Sequence, residues 1–290
     1  MSLKALQAAL FCAGVCLVVS CSTAPQRPRI PGEAAQWLGG QPQIVVRIDT
    51  KAVTAWSAVV KTHPDLSALG GRTRVVWAGF DLASLDGWKN AASSVRLVLE
   101  GDFPKGLVGF ALDWNNRWQK GAEKGLWTNQ KLDLTVEVPQ DDLVAVRRHH
   151  PDAFDESPHV LRGLGPQPME ASSLWLTFWD PGEVLFGPQA GKLLPVERLD
   201  LSLHAVDDRL EGQVILYFFD ERAARAATVL LKLFSPVIQQ RFGQSLTWAA
   251  QGTSLVGSGL NWKQSDVNTL AQTLVAGTLP SETRSGEPAP

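Results

Sequence analysis

Several stretches of the chain alternate apolar and polar residues with a period of two, and others repeat with the period of a helix. Ile44, Val46 and Ile48 alternate with Val45, Arg47 and Asp49, which predicts a strand. Thr50 is placed to cap a helix over Lys51–Lys61. There Ala52, Val53, Ala55, Trp56, Val59 and Val60 form a broad apolar face, and Lys51, Thr54, Ser57 and Lys61 a narrow polar stripe. His63-Pro64 ends it. Further strands are predicted at Arg74–Phe80, Val95–Glu100, Leu107–Trp114 and Lys131–Val138. In the last of these Leu132, Leu134, Val136 and Val138 share one face and Asp133, Thr135 and Glu137 the other, as in an antiparallel sheet with one packed and one wet face.

The stretch from His149 to Pro168 is rich in Pro, Gly, Asp and His and predicts a break. Beyond it, strands are expected at Leu174–Trp179, Val196–Ala205 and Leu210–Phe219. A helix over Asp220–Phe234 follows, resuming past Pro236 to Phe242. Arg222, Arg225, Thr228 and Lys232 lie three or four residues apart on a polar stripe; Ala223, Ala226, Ala227, Leu230, Leu231, Leu233 and Phe234 make nearly all the rest apolar. Two short strands, Leu246–Ala250 and Ser254–Leu260, precede a last helix capped by Ser265. Val95–Trp114 and Leu199–Asp220 each read as a hairpin with an Asp-containing turn, a likeness that would make two related halves. The expected architecture is therefore α+β, an antiparallel sheet with amphipathic helices packed on one face. Its halves are 37–148 and 169–279, joined by a connecting loop at 149–168, with a disordered tail at 280–290.

At the start of the chain, Lys4 precedes an uncharged run from Ala5 to Val19 that ends in Leu17-Val18-Val19-Ser20-Cys21. This is the pattern of a secretory signal ending in a lipobox, and it predicts cleavage before Cys21 and acylation of that residue. The run is shorter than the roughly 20 apolar residues that span a bilayer. Ser22 to Glu33 carries three prolines and predicts an extended tether over 21–36. All three cysteines, Cys12, Cys16 and Cys21, lie in this leader, so the body has no disulfide and no thiol nucleophile.

Of the 27 basic residues only Lys4 lies in the first twenty, which leaves 26 against 29 acidic residues in the body. That balance excludes the basic footprint of a nucleic-acid-binding protein. No catalytic motif emerges. Gly187-Pro188-Gln189-Ala190-Gly191-Lys192 is one residue short of a phosphate loop and is followed by Leu193 rather than Ser or Thr; no Gly-x-Ser-x-Gly elbow occurs. His149, His150, Asp152, Asp155, Glu156 and His159 are the densest set of metal-ligating types. Pro151 and Pro158 interrupt any helical spacing there, so a polar loop is expected, with no metal and no cofactor.

Eleven tryptophans stand against one tyrosine, and Trp114-Asn115-Asn116-Arg117-Trp118 sets two of them in a polar turn as candidate interface anchors. Both amphipathic helices have apolar faces wider than one packing stripe requires, and basic residues on the polar stripe suit lipid phosphates. Candidate lipid-contacting residues are Val53, Trp56, Val59 and Val60 in the first helix and Ala227, Leu230, Leu231 and Phe234 in the second. Ile215, Tyr217 and Phe219 make the second face of their strand apolar too, and are candidates to line a cavity for an apolar ligand.

The order of lipobox, proline spacer, Ile-Val-Val-Arg-Ile-Asp strand, amphipathic helix, Val95-Arg96-Leu97-Val98-Leu99-Glu100-Gly101-Asp102-Phe103-Pro104 and a late Ala/Leu-rich helix resembles the spirochaete (treponemal) outer-membrane-associated lipoproteins. The resemblance implies a periplasm-facing protein whose amphipathic helices enter the inner leaflet of the outer membrane, with a role in carrying lipid. The expected function is thus non-enzymatic, the partner being membrane lipid and an apolar ligand. A scaffold lipoprotein that binds another envelope protein is the alternative, and a periplasmic hydrolase a distant third.

Overall fold

The computed structural model describes residues 37–38, 42–62, 70–80, 96–123, 125–130, 134–148, 172–181, 196–242, 245–269 and 272. The leader, the expected tether, connecting loop and tail, and the segment Gly187–Lys192 lie outside them. Twelve strands form one antiparallel sheet: β1 (Ile44–Asp49), β2 (Thr73–Phe80), β3 (Arg96–Gly101), β4 (Gln119–Lys120), β5 (Leu126–Asn129), β6 (Leu134–Gln140), β7 (Leu143–Arg148), β8 (Leu174–Trp179), β9 (Val196–Val206), β10 (Arg209–Phe218), β11 (Thr247–Gln251) and β12 (Ser254–Lys263). The described helices are α1 (Ala55–Thr62), α2 (Lys105–Trp114) and α3 (Glu221–Phe242), with a short helical stretch at 264–269.

The expected α+β layering is therefore corrected to a sheet-dominated fold. The sheet has core on both faces, and strand residues supply most of it. On one face Val45, Trp77, Val98, Ala145, Trp175 and Trp179 pack with Leu38. On the other, Ile48, Val76, Leu99 and Val144 form a cluster with Trp56 and Phe103, and Leu174, Phe178, Leu199, Leu201 and Leu216 form a second with Ala224, Ala227 and Leu231 of α3. A strand covered on both sides carries apolar residues at both parities, and helices complete such a core rather than build it.

The strand order is β11-β12-β10-β9-β8-β1-β2-β3-β7-β6-β5-β4. The β1–β8 pair joins a run of five strands to one of seven, with Val45 opposite Thr177 and Arg47 opposite Trp175. Read outward, the order is β1-β2-β3-β7-β6-β5-β4 in one direction and β8-β9-β10-β12-β11 in the other, with α2 following β3 and α3 following β10 in the chain. The hairpin likeness anticipated between Val95–Trp114 and Leu199–Asp220 is corrected, because only the second is a hairpin, β9–β10. The ladder between β9 and β10 brings the Gly212 backbone so close to Ser202 that any Cβ there would collide with the Ser202 carbonyl. Gln264 ties the two ends of the sequence together: its Nε2 donates to the Ala52 and Asp207 carbonyls at 3.2 Å each, and its Oε1 accepts from the Thr54 N–H at 3.1 Å.

Candidate functional site

The segment after β3 departs most from its sequence reading. Leu107–Trp114, expected as a strand, belongs to α2. Pro104 fits a helix start, since proline needs no N–H partner there and its φ is already set. The Lys105 N–H donates to the Asp141 carboxylate at 2.9 Å, and the Leu107 and Val108 N–H groups donate to the Pro104 carbonyl. Val108 and Leu112, four residues apart, turn inward onto the cluster around Phe103, Trp127 and Val138. Gly109 lets the helix lie against the Trp127 ring, whose edge is 3.2 Å from where a Cβ would stand. The Trp127 Nε1–H donates to Asp113 Oδ1 at 2.7 Å and fixes the far end of the helix. That bond, with Lys120 at 3.5 Å, holds the Asp113 carboxyl below its ordinary value.

The opposite face of α2 meets nothing among the described residues. Leu107 is 58% exposed, Phe110 58% and Trp114 76%, and their spacing of three and four residues puts them in one line along the helix. The Phe110 and Trp114 rings stand edge to face with centroids 5.0 Å apart, so the two form one aromatic ridge. Single exposed apolar residues are ordinary, whereas a contiguous row of Leu, Phe and Trp on one helix face marks a contact surface. The row falls in the stretch expected as strand; the sequence signal that reveals it is Pro104 followed by apolar residues at 107, 110 and 114.

The residues singled out from α1 and α3 lie elsewhere. Val53, Trp56, Ala227 and Leu231 are buried in the core, and Val60 is half-buried against the Phe103 cluster. The side chains of Val59, Leu230 and Phe234 lie outside the described residues. α1 starts at Ala55 rather than at Lys51, so Thr50 does not cap it: the Thr50 hydroxyl donates to the Thr73 and Arg74 carbonyls, and Asp49 accepts from the Lys51 and Ala52 N–H groups in the turn that precedes the helix. In α3 the helix continues through Pro236 without the expected break, and Asp220 caps it by accepting from the Ala223 N–H at 2.7 Å.

Ile215 and Tyr217 share the sheet face opposite Leu216, both half-buried, and Phe219 lies just past β10 at 37% exposed. Their setting is polar as well as apolar. The Arg198 guanidinium stacks 3.8 Å from the Tyr217 ring centre, and its Nε lies 3.1 Å from Asp200 Oδ1. Asp200 also accepts from the Thr177 hydroxyl at 2.6 Å. Burial raises the Asp200 carboxyl above its ordinary value, against the pull of Arg198 and Thr177; burial and the Asp200 charge raise the Tyr217 phenol likewise. Among the described residues no His/Cys/Asp/Glu group could hold a metal ion, and no helix is long and apolar enough to cross a membrane.

The fold as a whole is similar to that of a treponemal protein of known structure. That protein is TP0453 of Treponema pallidum. One crystal form of it superposes with a TM-score of 0.56 at 13% identity, covering 84% of this chain and 99% of that one. A second gives 0.57 at 14% identity, covering 84% and 98%. The likeness is one of fold. No protein-family model matches the chain, and no curated protein matches it in sequence.

Proposed function

We propose that the protein is a non-enzymatic, acylated lipoprotein of the bacterial envelope whose folded body rests on membrane lipid through the outer face of α2. The observation that carries this reading is the row Leu107, Phe110 and Trp114, exposed on a helix whose other face is fixed to the sheet. Tryptophan suits the boundary between hydrocarbon and headgroups, having a large apolar body and a polar N–H. An amphipathic helix lying flat there buries its apolar side to a depth of several ångströms. The lipobox ending at Cys21 supports the same reading from the sequence. An acyl chain contributes about 0.8 kcal/mol per buried methylene and would hold the body beside the bilayer, where a weak helix contact acts as a second signal. The shared fold with TP0453 supports an envelope setting.

The test compares the full chain carrying Cys21→Ala with the same chain carrying also Leu107→Ser, Phe110→Ser and Trp114→Ser. Cosedimentation with vesicles of mixed zwitterionic and anionic lipid should capture the first and lose the second, with far-UV and near-UV circular dichroism unchanged. Equal capture of both, or of neither, overturns the reading.

A further inference from the structure

The two ends of the sheet are built differently. At one end β4 is two residues long, and its Lys120 pairs with Asp113 at 3.5 Å. A short, charged edge of that kind discourages pairing with another strand. At the other end β11 runs for five residues, Thr-Trp-Ala-Ala-Gln, in unbroken register with β12 and with nothing among the described residues on its outer side. Thr247, Ala249, Ala250 and Gln251 are exposed; only Trp248 turns inward, where Gly257 accommodates its ring. Among the described residues none of the usual blunting devices is present. β11 has no proline, no bulge and no charge, and the sequence from Gly243 to Trp262 contains no charged residue at all.

We propose that β11 is a self-association edge, at which two copies of this chain pair antiparallel about a two-fold axis through Ala249. An edge strand presents a row of unpaired N–H and C=O groups that another strand satisfies at the standard spacing. A two-fold contact uses the same patch twice, so the strand must be complementary to its own reverse. β11 is: Ala249 meets the partner's Ala249, Trp248 meets the partner's Ala250, and Thr247 meets the partner's Gln251. No like charges face one another, and small or uncharged residues stand at every exposed position. A charged peptide would find no complementary charge on this edge, whereas a second copy needs none. The pairing joins two sheets into one continuous antiparallel sheet and leaves α2, at the far end of the strand order, outside the contact.

The experiment uses the full chain with Cys12, Cys16 and Cys21 each changed to Ser, so that a single introduced cysteine is the only thiol. Residues directly opposite in an antiparallel pair have Cα atoms about 4.5 to 5.5 Å apart, within the span a disulfide bridges. Under mild oxidation Ala249→Cys should give a covalent dimer, while Gln119→Cys on the blunted edge stays monomeric. Adding Thr247→Lys and Gln251→Lys sets ammonium groups opposite one another and should slow the cross-link at least tenfold at low salt. Adding Thr247→Lys and Gln251→Glu sets opposite charges across the axis and should restore it. These positions are exposed, so circular dichroism and thermal unfolding stay unchanged throughout. Failure of Ala249→Cys to cross-link, cross-linking of Gln119→Cys at the same rate, or indifference to the charge pattern overturns the proposal.

Discussion

Leu231 offers a direct measure of how firmly α3 is held to the sheet. It is 1% exposed and lies in line with Ala224 and Ala227, both fully buried, on the face that meets Leu199, Leu216, Trp248 and Leu255. The alanines bring the helix axis close to the strands, and they are too short to move into a space left beside them. Leu231→Ala should therefore leave a cavity that the site cannot close, at a cost of about 3 kcal/mol within the usual range of about 2 to 5 for a buried leucine. For a chain of this size each kcal/mol lowers Tm by about 2 to 4 °C, so the expected drop is about 6 to 12 °C. Val229, two residues earlier and 60% exposed, is the matched control. Val229→Ala should change stability by less than about 0.5 kcal/mol, since surface substitutions away from special features rarely do more. Thermal unfolding followed by circular dichroism reads both. Equal destabilisation by the two variants, or an unchanged Tm in Leu231→Ala, would refute the packing of α3 described above and return this face of the helix to the list of lipid-contacting surfaces.

Two further outcomes are expected. Because burial raises the folded-state pKa of Asp200 above its unfolded value, the stability tied to this group is full below the unfolded carboxylate pKa and is lost as pH rises through the folded pKa. Asp200→Asn should flatten that part of the stability profile, as read by denaturant titrations from acid to neutral pH; an unchanged slope contradicts the assignment. Cys21→Ala should shift the protein from the membrane fraction to the soluble fraction of expressing cells and abolish labelling by a radioactive fatty acid, and continued labelling would place the attachment elsewhere.

Strands set off by turn or charged residues were legible in the sequence. β1, β2, β8, β9 and β10 lie within a residue or so of their expected bounds, because Pro42 and Asp49, Ser173 and Asp180, and the Asp207-Asp208 turn mark where apolar-rich runs begin and end, even where both faces are buried. β5 and β7 were not anticipated. Leu143-Val144-Ala145-Val146 is apolar at both parities, since Leu143 and Ala145 pack on one face and Val144 on the other, and such a run carries no period. The β1–β8 pair joins residues more than a hundred positions apart and leaves no local trace. α2 was misread for a different reason: Leu-Val-Gly-Phe-Ala-Leu has apolar residues both inside and outside the helix, so the stripe at 107, 110 and 114 is masked by the inward Val108 and Leu112. The same mixture made α1 and α3 look too apolar for one contact, when the sheet and each other's neighbourhoods take up Val53, Trp56, Ala227 and Leu231. A row left over for an external partner becomes visible only after the core has claimed its own residues.

Entry of the outer face of α2 into lipid is tested by placing a probe there. In the chain with Cys12, Cys16 and Cys21 each changed to Ser, Phe110→Cys and Glu211→Cys each accept one environment-sensitive fluorophore; both positions are exposed, the first on α2 and the second on β10. Reaching hydrocarbon contributes roughly 1.5 to 3 kcal/mol per large apolar side chain, and the partly exposed row of three supplies about 4 kcal/mol, close to a thousandfold in partitioning. With vesicles added, the probe at 110 should shift to the blue and be quenched by lipids carrying a quencher in the acyl chain, while the probe at 211 keeps its aqueous emission. Bound protein whose probe at 110 stays aqueous would contradict the account.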